Sequence, residues 1–220
     1  MKIQKEVFKD TLVYQGDPVL TYQIEYPYLV PEKPTAEIQQ INDYYKQLAE
    51  HLVQYAKDIL YPLQVDQYQM AKQGNDPLRI GELMLTYHVA YDKSCLISFF
   101  FDQYEYMGGA HGSTERSSQT WNVDTGQKIK LAQVFCCTNE YKEETVAMIK
   151  KEIEDQIQRG VDRYYIDCLR DVDHMFQEDH FYLTSQGVII YFQQYEIAPY
   201  ASGIPEFQLG YSDKIVLPPC

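Results

Sequence analysis

The stretch Leu83-Met84-Leu85-Thr86-Tyr87-His88-Val89-Ala90-Tyr91-Asp92-Lys93-Ser94-Cys95-Leu96-Ile97-Ser98-Phe99-Phe100-Phe101 decides the fold. Leu83, Leu85, Tyr87, Val89 and Tyr91 occupy every second position, the period of a strand with one apolar face. Asp92-Lys93 turns the chain, and Leu96 to Phe101 is apolar on both faces, as a strand inside a sheet is. Its far end runs into Tyr106-Met107-Gly108-Gly109-Ala110-His111-Gly112, and Ser118 to Val123 reads as the returning strand. A glycine-rich loop is therefore held at the end of a sheet on rigid supports.

Toward the N-terminus, Leu20, Tyr22, Ile24, Tyr26 and Tyr28 alternate with polar residues and predict a strand with one wet face. Pro31 and Pro34 bracket a turn, and Thr35 is placed to cap a helix with Glu37 in its first turn. The stripe Ile38, Ile41, Tyr45, Leu48, Leu52, Tyr55, Ile59 repeats at three and four, and Pro62 is expected to end it. About three heptads are too few for a coiled-coil reading to displace packing across a sheet. Gln73-Gly74-Asn75-Asp76-Pro77 reads as a loop.

Toward the C-terminus, Asn122-Val123-Asp124-Thr125-Gly126-Gln127-Lys128 is a hairpin signal. A helix with Glu140, Glu143 and Glu144 in its first turn carries Val146, Ile149, Ile153 and Ile157 and runs to Gly160. A second helix is expected with Val161, Tyr165, Cys168, Val172 and Phe176 on one face. Phe181 to Thr184, Val188 to Gln193 and Phe207 to Tyr211 read as strands, the last two separated by Tyr195-Glu196-Ile197-Ala198-Pro199-Tyr200-Ala201-Ser202-Gly203-Ile204-Pro205. Strands, then helices, then strands make the fold α+β, with mixed or antiparallel sheets against a long N-terminal helix and a C-terminal helix pair.

The 220 residues suffice for a self-supporting core. The formal charge of -13, from 32 acids against 19 bases, repels a phosphate backbone and excludes nucleic acid as a natural partner, while it would steer a basic protein toward the surface. The 21 tyrosines suit half-wet sheet faces and recognition surfaces alike. Cys95, Cys136, Cys137, Cys168 and Cys220 are an odd number, and free thiols are the simpler expectation, Cys220 included. The polar start and the lack of a long apolar run predict no signal peptide and no membrane span, hence a cytosolic chain.

No catalytic or metal constellation stands out, and no cofactor is expected. Asp124-Thr125-Gly126 has the letters of an aspartic protease site, but such a site needs a second carboxylate in a symmetric half, so the turn reading is preferred. His111 beside Ser113, Thr114 and Glu115 is the candidate acid or base, yet no Gly-x-Ser-x-Gly elbow accompanies it. Asp171, Asp173, His174, Glu178, Asp179 and His180 read as a solvated acidic face, because no metal-ligand spacing is present.

Taken in order, Gly108 to Gly112, Asn122 to Lys128 through Leu131 and Phe135, Phe181-Tyr182-Leu183-Thr184 through Gly187, and Tyr195 to Pro205 resemble the extracytoplasmic domain of RsiV-type anti-sigma factors. The same pair of modules is similar to the region that accompanies the catalytic part of some peptidoglycan deacetylases, of PdaC type. The resemblance covers nearly the whole chain and implies two α+β subdomains, 1–112 of deacetylase-associated type and 113–220 of anti-sigma type. Anti-sigma members of that family bind lysozyme as a sensed ligand. The resemblance thus implies an extracytoplasmic, non-catalytic domain that binds a cationic protein of lysozyme type or a cell-wall glycan. It implies Gly108, Gly109, His111, Tyr195, Pro199, Tyr200 and Ile204 as contact or loop-shaping positions. Beside it stand a hydrolase using His111 and an intracellular scaffold that meets another chain through a helix face or its acidic surface.

Overall fold

The structure, a computed structural model, describes residues 1–136 and 140–220, so that Cys137 lies outside the described residues. The chain forms two compact units, Met1–Tyr87 with Phe101–Glu115, and His88–Phe100 with Arg116–Cys220. The fold is α+β. The strands β1 (Lys2–Tyr14), β2 (Asp17–Val30), β3 (Gly81–Lys93), β4 (Leu96–Tyr106), β5 (Ser113–Asn122) and β6 (Gln127–Lys128) form one sheet in chain order. A second sheet holds β7 (Phe181–Leu183), β8 (Gly187–Tyr191) and β9 (Glu206–Gly210), also in chain order.

In the first unit, β1 and β2 make a long antiparallel hairpin from Lys2↔Val30 to Tyr14↔Asp17. Its turn places Gln15 (φ 51°) and Gly16 (φ 93°) in the left-handed region, as a two-residue hairpin turn requires. The sequence reading finds β2 and misses β1. Most of the β1 side chains are exposed, so no apolar period marks the strand. Next, β2 pairs with β3 in parallel, Leu20↔Gly81 to Ile24↔Leu85. Parallel neighbours need a long crossover, which the helices α1 (Ala36–Tyr55) and α2 (Tyr61–Gly74) supply. Thr35 caps α1 by accepting from the Ile38 amide at 3.2 Å. The buried stripe Ile38, Ile41, Tyr45 and Ala49 brings the Tyr45 ring onto Phe101, centroids 5.3 Å apart. Within this apolar layer Asn42 donates to the Leu29 carbonyl at 2.9 Å and accepts from the Leu29 amide at 2.7 Å.

Pro62 does not end the helix. Ala56–Leu60 forms a wider π turn in which the Tyr61 amide reaches back to the Ala56 carbonyl, so Pro62 falls in the first turn of α2, where a missing N–H is harmless. The extra residue per turn also rotates the apolar face. Ala56 and Leu60 become buried, while Ile59, on the stripe in the sequence, is half exposed.

In the second unit, α3 (Tyr141–Gln158) and α4 (Cys168–Met175) bury Ile149, Ile153, Cys168 and Val172 in a core shared with Phe181, Leu183, Val188, Ile190, Phe207 and Leu209. The expected helix from Val161 is shorter than its stripe. Gly160 (φ 85°) terminates α3, and the 161–167 segment sends its backbone elsewhere: the Tyr165 amide donates to the Ile197 carbonyl at 3.1 Å, and the Arg163 carbonyl accepts from the Ser202 hydroxyl at 2.8 Å. Asp124-Thr125-Gly126 is a turn, with Asn122 Oδ1 accepting from the amides of Asp124 and Thr125 at 3.0 and 3.2 Å.

The expectation of free thiols at Cys95 and Cys220 is overturned. The two form a disulfide with Cα atoms 5.6 Å apart across 125 residues of sequence. Spacing gave no sign of it, because the tail is brought to β4 by contacts distant in sequence: Ile215 bridges Phe135, and the Val216 amide donates to the Val134 carbonyl at 2.8 Å. Cys168 stays a buried thiol whose pKa burial pushes up.

Two outcomes test this architecture. Asn42→Ala strips both partners from the buried Leu29 peptide and is expected to cost about 2–4 kcal/mol in denaturant unfolding; a loss near zero would show that the pair is not structural. Reducing the disulfide, or Cys220→Ser, is expected to lower stability on the order of 4 kcal/mol, since the closed loop is long. Thermal unfolding with and without reductant reads it, and coincident curves would remove the bond.

Candidate functional site

The two loops singled out by sequence fall one in each unit. The first, residues 107–112, joins β4 to β5. Gly108 (φ 92°) and Gly109 (φ 101°) are both left-handed, which accounts for the pair of glycines. A Cβ at Gly108 would meet Gln67 Oε1 at 3.2 Å, and one at Gly112 would lie 2.5 Å from the Glu105 carbonyl oxygen. The backbone thus passes close to its supports at two points. The Gly109 carbonyl accepts from the Arg79 guanidinium and, at 3.3 Å, from the Tyr106 hydroxyl. Beneath the loop the buried Gln64 amide reaches Met107 Sδ at 3.5 Å. A small cavity of about 90 Å³, lined by Pro18, Val19, Gln67, Tyr68, Leu78 and Arg79 among others, adjoins these supports.

His111 is exposed, and its Nδ1–H donates to the Gly112 carbonyl at 2.8 Å. That bond ties the ring to the loop's own backbone and selects the tautomer protonated at Nδ1. Among the described residues, no group of three or more His, Cys, Asp or Glu is placed to hold a metal ion.

The second loop, 192–205, joins β8 to β9. Tyr195 sits at φ 69°, a conformation that a bulky side chain adopts only when its surroundings impose it, and the residue is 52% exposed. Tyr195 stacks on Tyr200, centroids 5.9 Å apart, and Pro199 opens the short 3-10 turn Tyr200–Ser202 that carries the second ring. The Ser202 and Gly203 amides close that turn on the carbonyls of Pro199 and Tyr200. Ile204 faces inward and packs against the cluster of Tyr182, Ile189 and Tyr191. It shapes the loop from below, while Tyr195 and Pro199 are exposed. The Gln193 amide donates to Glu196 at 2.6 Å, and burial pushes the Glu196 carboxyl above the usual range against that bond.

The sequence reading misses the neighbour of this loop. The 161–167 segment runs beside it through the Tyr165–Ile197 and Ser202–Arg163 hydrogen bonds, and it turns Tyr165 (37% exposed) and the fully exposed Ile166 to solvent. Helical periodicity assigns Tyr165 to a buried face, and only the long-range bonds reveal that its backbone runs beside the second loop.

Comparison with known families gives two matches: residues 14–114 with the model described as deacetylase PdaC, and residues 137–212 with that of a protein of unknown function (DUF3298). No curated protein is found to match the chain. Among solved structures, a member of the DUF3298 family from Bacteroides fragilis has a TM-score of 0.72 at 19% identity, over 96% of this chain and 90% of that one. A DUF3298 family protein from Pseudomonas aeruginosa PAO1 has a TM-score of 0.60 at 15% identity, over 96% and 92%. Identities this low establish a common fold alone. The chain is thus similar to the deacetylase PdaC model from β2 through β4 and the loop that follows, to the DUF3298 model from α3 to β9, and shares its fold with solved DUF3298 proteins.

Proposed function

We propose that this chain is a non-catalytic recognition module that docks a cationic protein, with the aromatic and proline loop of the second unit as its main contact. The carrying observation is Tyr195: a large ring, half exposed, held in a strained backbone conformation and stacked on Tyr200. Rigid aromatic groups presented outward make strong anchors, because little side-chain entropy is left to lose on binding. Tyr165 and Ile166 add apolar surface beside it. The charge of -13 supports a basic partner over an acidic one.

Lysozyme is the partner to try first, on the strength of the resemblance to anti-sigma sensing domains. His111, bound to its own loop's backbone, is in this reading a loop-shaping group rather than an acid-base centre. The reading also assigns the chain to an oxidising compartment. The Cys95–Cys220 disulfide supports that over the cytosolic expectation, since such bonds are rare where thiols are kept reduced.

Calorimetric titration with lysozyme at low ionic strength is expected to show saturable binding that weakens as salt rises. Tyr195→Ala is expected to lower the affinity about tenfold, or about 1.4 kcal/mol, with its melting temperature little changed, since alanine keeps the Cβ that makes the left-handed backbone costly. Absence of heat at low salt would sink the reading, as would an affinity indifferent to Tyr195.

A further inference from the structure

We infer that Arg116 is the positioning residue of the 192–205 loop, fastening both of its ends at once; the inference rests on the recognition reading for what the loop meets, but not for how it is held. Arg116 lies in β5, far in sequence from the loop; its peptide groups are held by the Gln193 side chain at one end of the loop, and its guanidinium holds the other.

The loop leaves β8 through Gln193, whose side chain clamps the peptide groups of Arg116. The Arg116 amide donates to Gln193 Oε1 at 2.9 Å, and Gln193 Nε2 donates to the Arg116 carbonyl at 2.6 Å. A side-chain amide here supplies the pair of bonds that a neighbouring strand would supply. The loop returns through Glu206, and there the Arg116 guanidinium pairs with the Glu206 carboxylate. Between the two grips the Phe192 amide closes the neck on the Pro205 carbonyl at 3.0 Å.

The guanidinium is suited to this place. It lies over the Phe100 ring at 4.2 Å and 5.9 Å from the Tyr191 ring, and its side chain is only 10% exposed. A planar fork stacks on a ring while its edge still donates to a carboxylate, which a lysine ammonium does not do. Glu206 is held from a second side by the Tyr182 hydroxyl at 2.9 Å. Because Glu206 is itself partly exposed, the charge pair alone is a modest contribution, and the grip comes from stacking, charge and the Gln193 clamp together.

Arg116 thus sets the span across which Tyr195, Pro199 and Tyr200 are displayed. The positive φ of Tyr195 (69°) persists because the ends on either side are fixed. A loop held this way is ordered before any partner arrives, so less ordering is required on binding.

Amide exchange read by mass spectrometry on the full chain tests the clamp. In Arg116→Met, which keeps the Gln193 bonds to the peptide groups at 116 and removes the guanidinium's stacking and charge, exchange across 193–205 is expected to rise about tenfold, equivalent to about 1.4 kcal/mol, with α1 and β2 unaffected. Arg116→Lys should not restore protection, and Glu206→Gln, a change at a partly exposed residue that spares the core, should raise exchange in the same peptides to a lesser degree. No change at 193–205 in the Met and Gln variants, or a rise spread evenly over the chain, overturns the inference. Titration with lysozyme separates it from the recognition reading. If the parent chain binds, Arg116→Met should bind about tenfold more weakly at an unchanged melting temperature, and equal affinity overturns the positioning role. If the parent chain does not bind lysozyme, the recognition reading fails and the exchange result alone decides whether Arg116 holds the loop.

Discussion

A buried peptide group without a hydrogen-bond partner costs about 1–3 kcal/mol, so wherever a sheet stops or a helix crosses it something must stand in for the missing strand. Asn42, Gln193 and Ser98 meet that constraint here. Asn42 on α1 makes two bonds to the peptide of Leu29 at the end of β2, and Gln193 makes two to Arg116 in β5. Ser98 in β4 accepts from the Leu183 amide at 3.0 Å and exchanges a bond with Thr120 at 2.7 Å. Each joins segments separated in sequence. The loops considered as contact surfaces lean on this kind of bond as much as on apolar burial.

Some of the tyrosines also serve the carboxylates. A chain with 32 acids and 19 bases has too few cations to pair its carboxylates. Phenol hydroxyls bond several carboxylates, three of which, Asp17, Glu178 and Glu206, also pair with a cation. Tyr68 donates to Asp17 at 2.7 Å, Tyr55 to Glu105 at 3.1 Å, Tyr182 to Glu206 at 2.9 Å, and Tyr141 to Glu178. The bond to Asp17 raises the Tyr68 pKa and that to Glu178 raises the Tyr141 pKa, while for Tyr55 burial does so first and Glu105 second. Tyrosine therefore serves the acidic surface without neutralising it, and the long-range field that would steer a basic partner survives.

Local pattern made most of the fold legible. Alternation at Leu83 to Tyr91, the doubly apolar Leu96 to Phe101 and the stripe from Ile38 to Tyr55 were visible because side-chain period follows directly from backbone geometry. Where the period failed, the cause was physical. In β1 both faces are wet. At Pro62 a π turn absorbed the proline, and after Val161 the backbone directs its hydrogen bonds to another loop. At the candidate site the glycines and the proline disclosed two shaped loops, but not Arg79, Gln193 or Arg116, whose parts depend on partners 30 to 90 residues away.

Residue order alone was enough for the α+β class, the main strands and helices, the acidic charge and the presence of two glycine- or proline-shaped loops, because each follows from composition or from spacing over a few residues. It took the folded chain to bring Cys95 to Cys220, to turn Ile204 inward and Ile166 outward, and to set Arg116 against both ends of one loop. Those outcomes depend on which distant segments come together, and neighbouring residues carry no periodic signal of that.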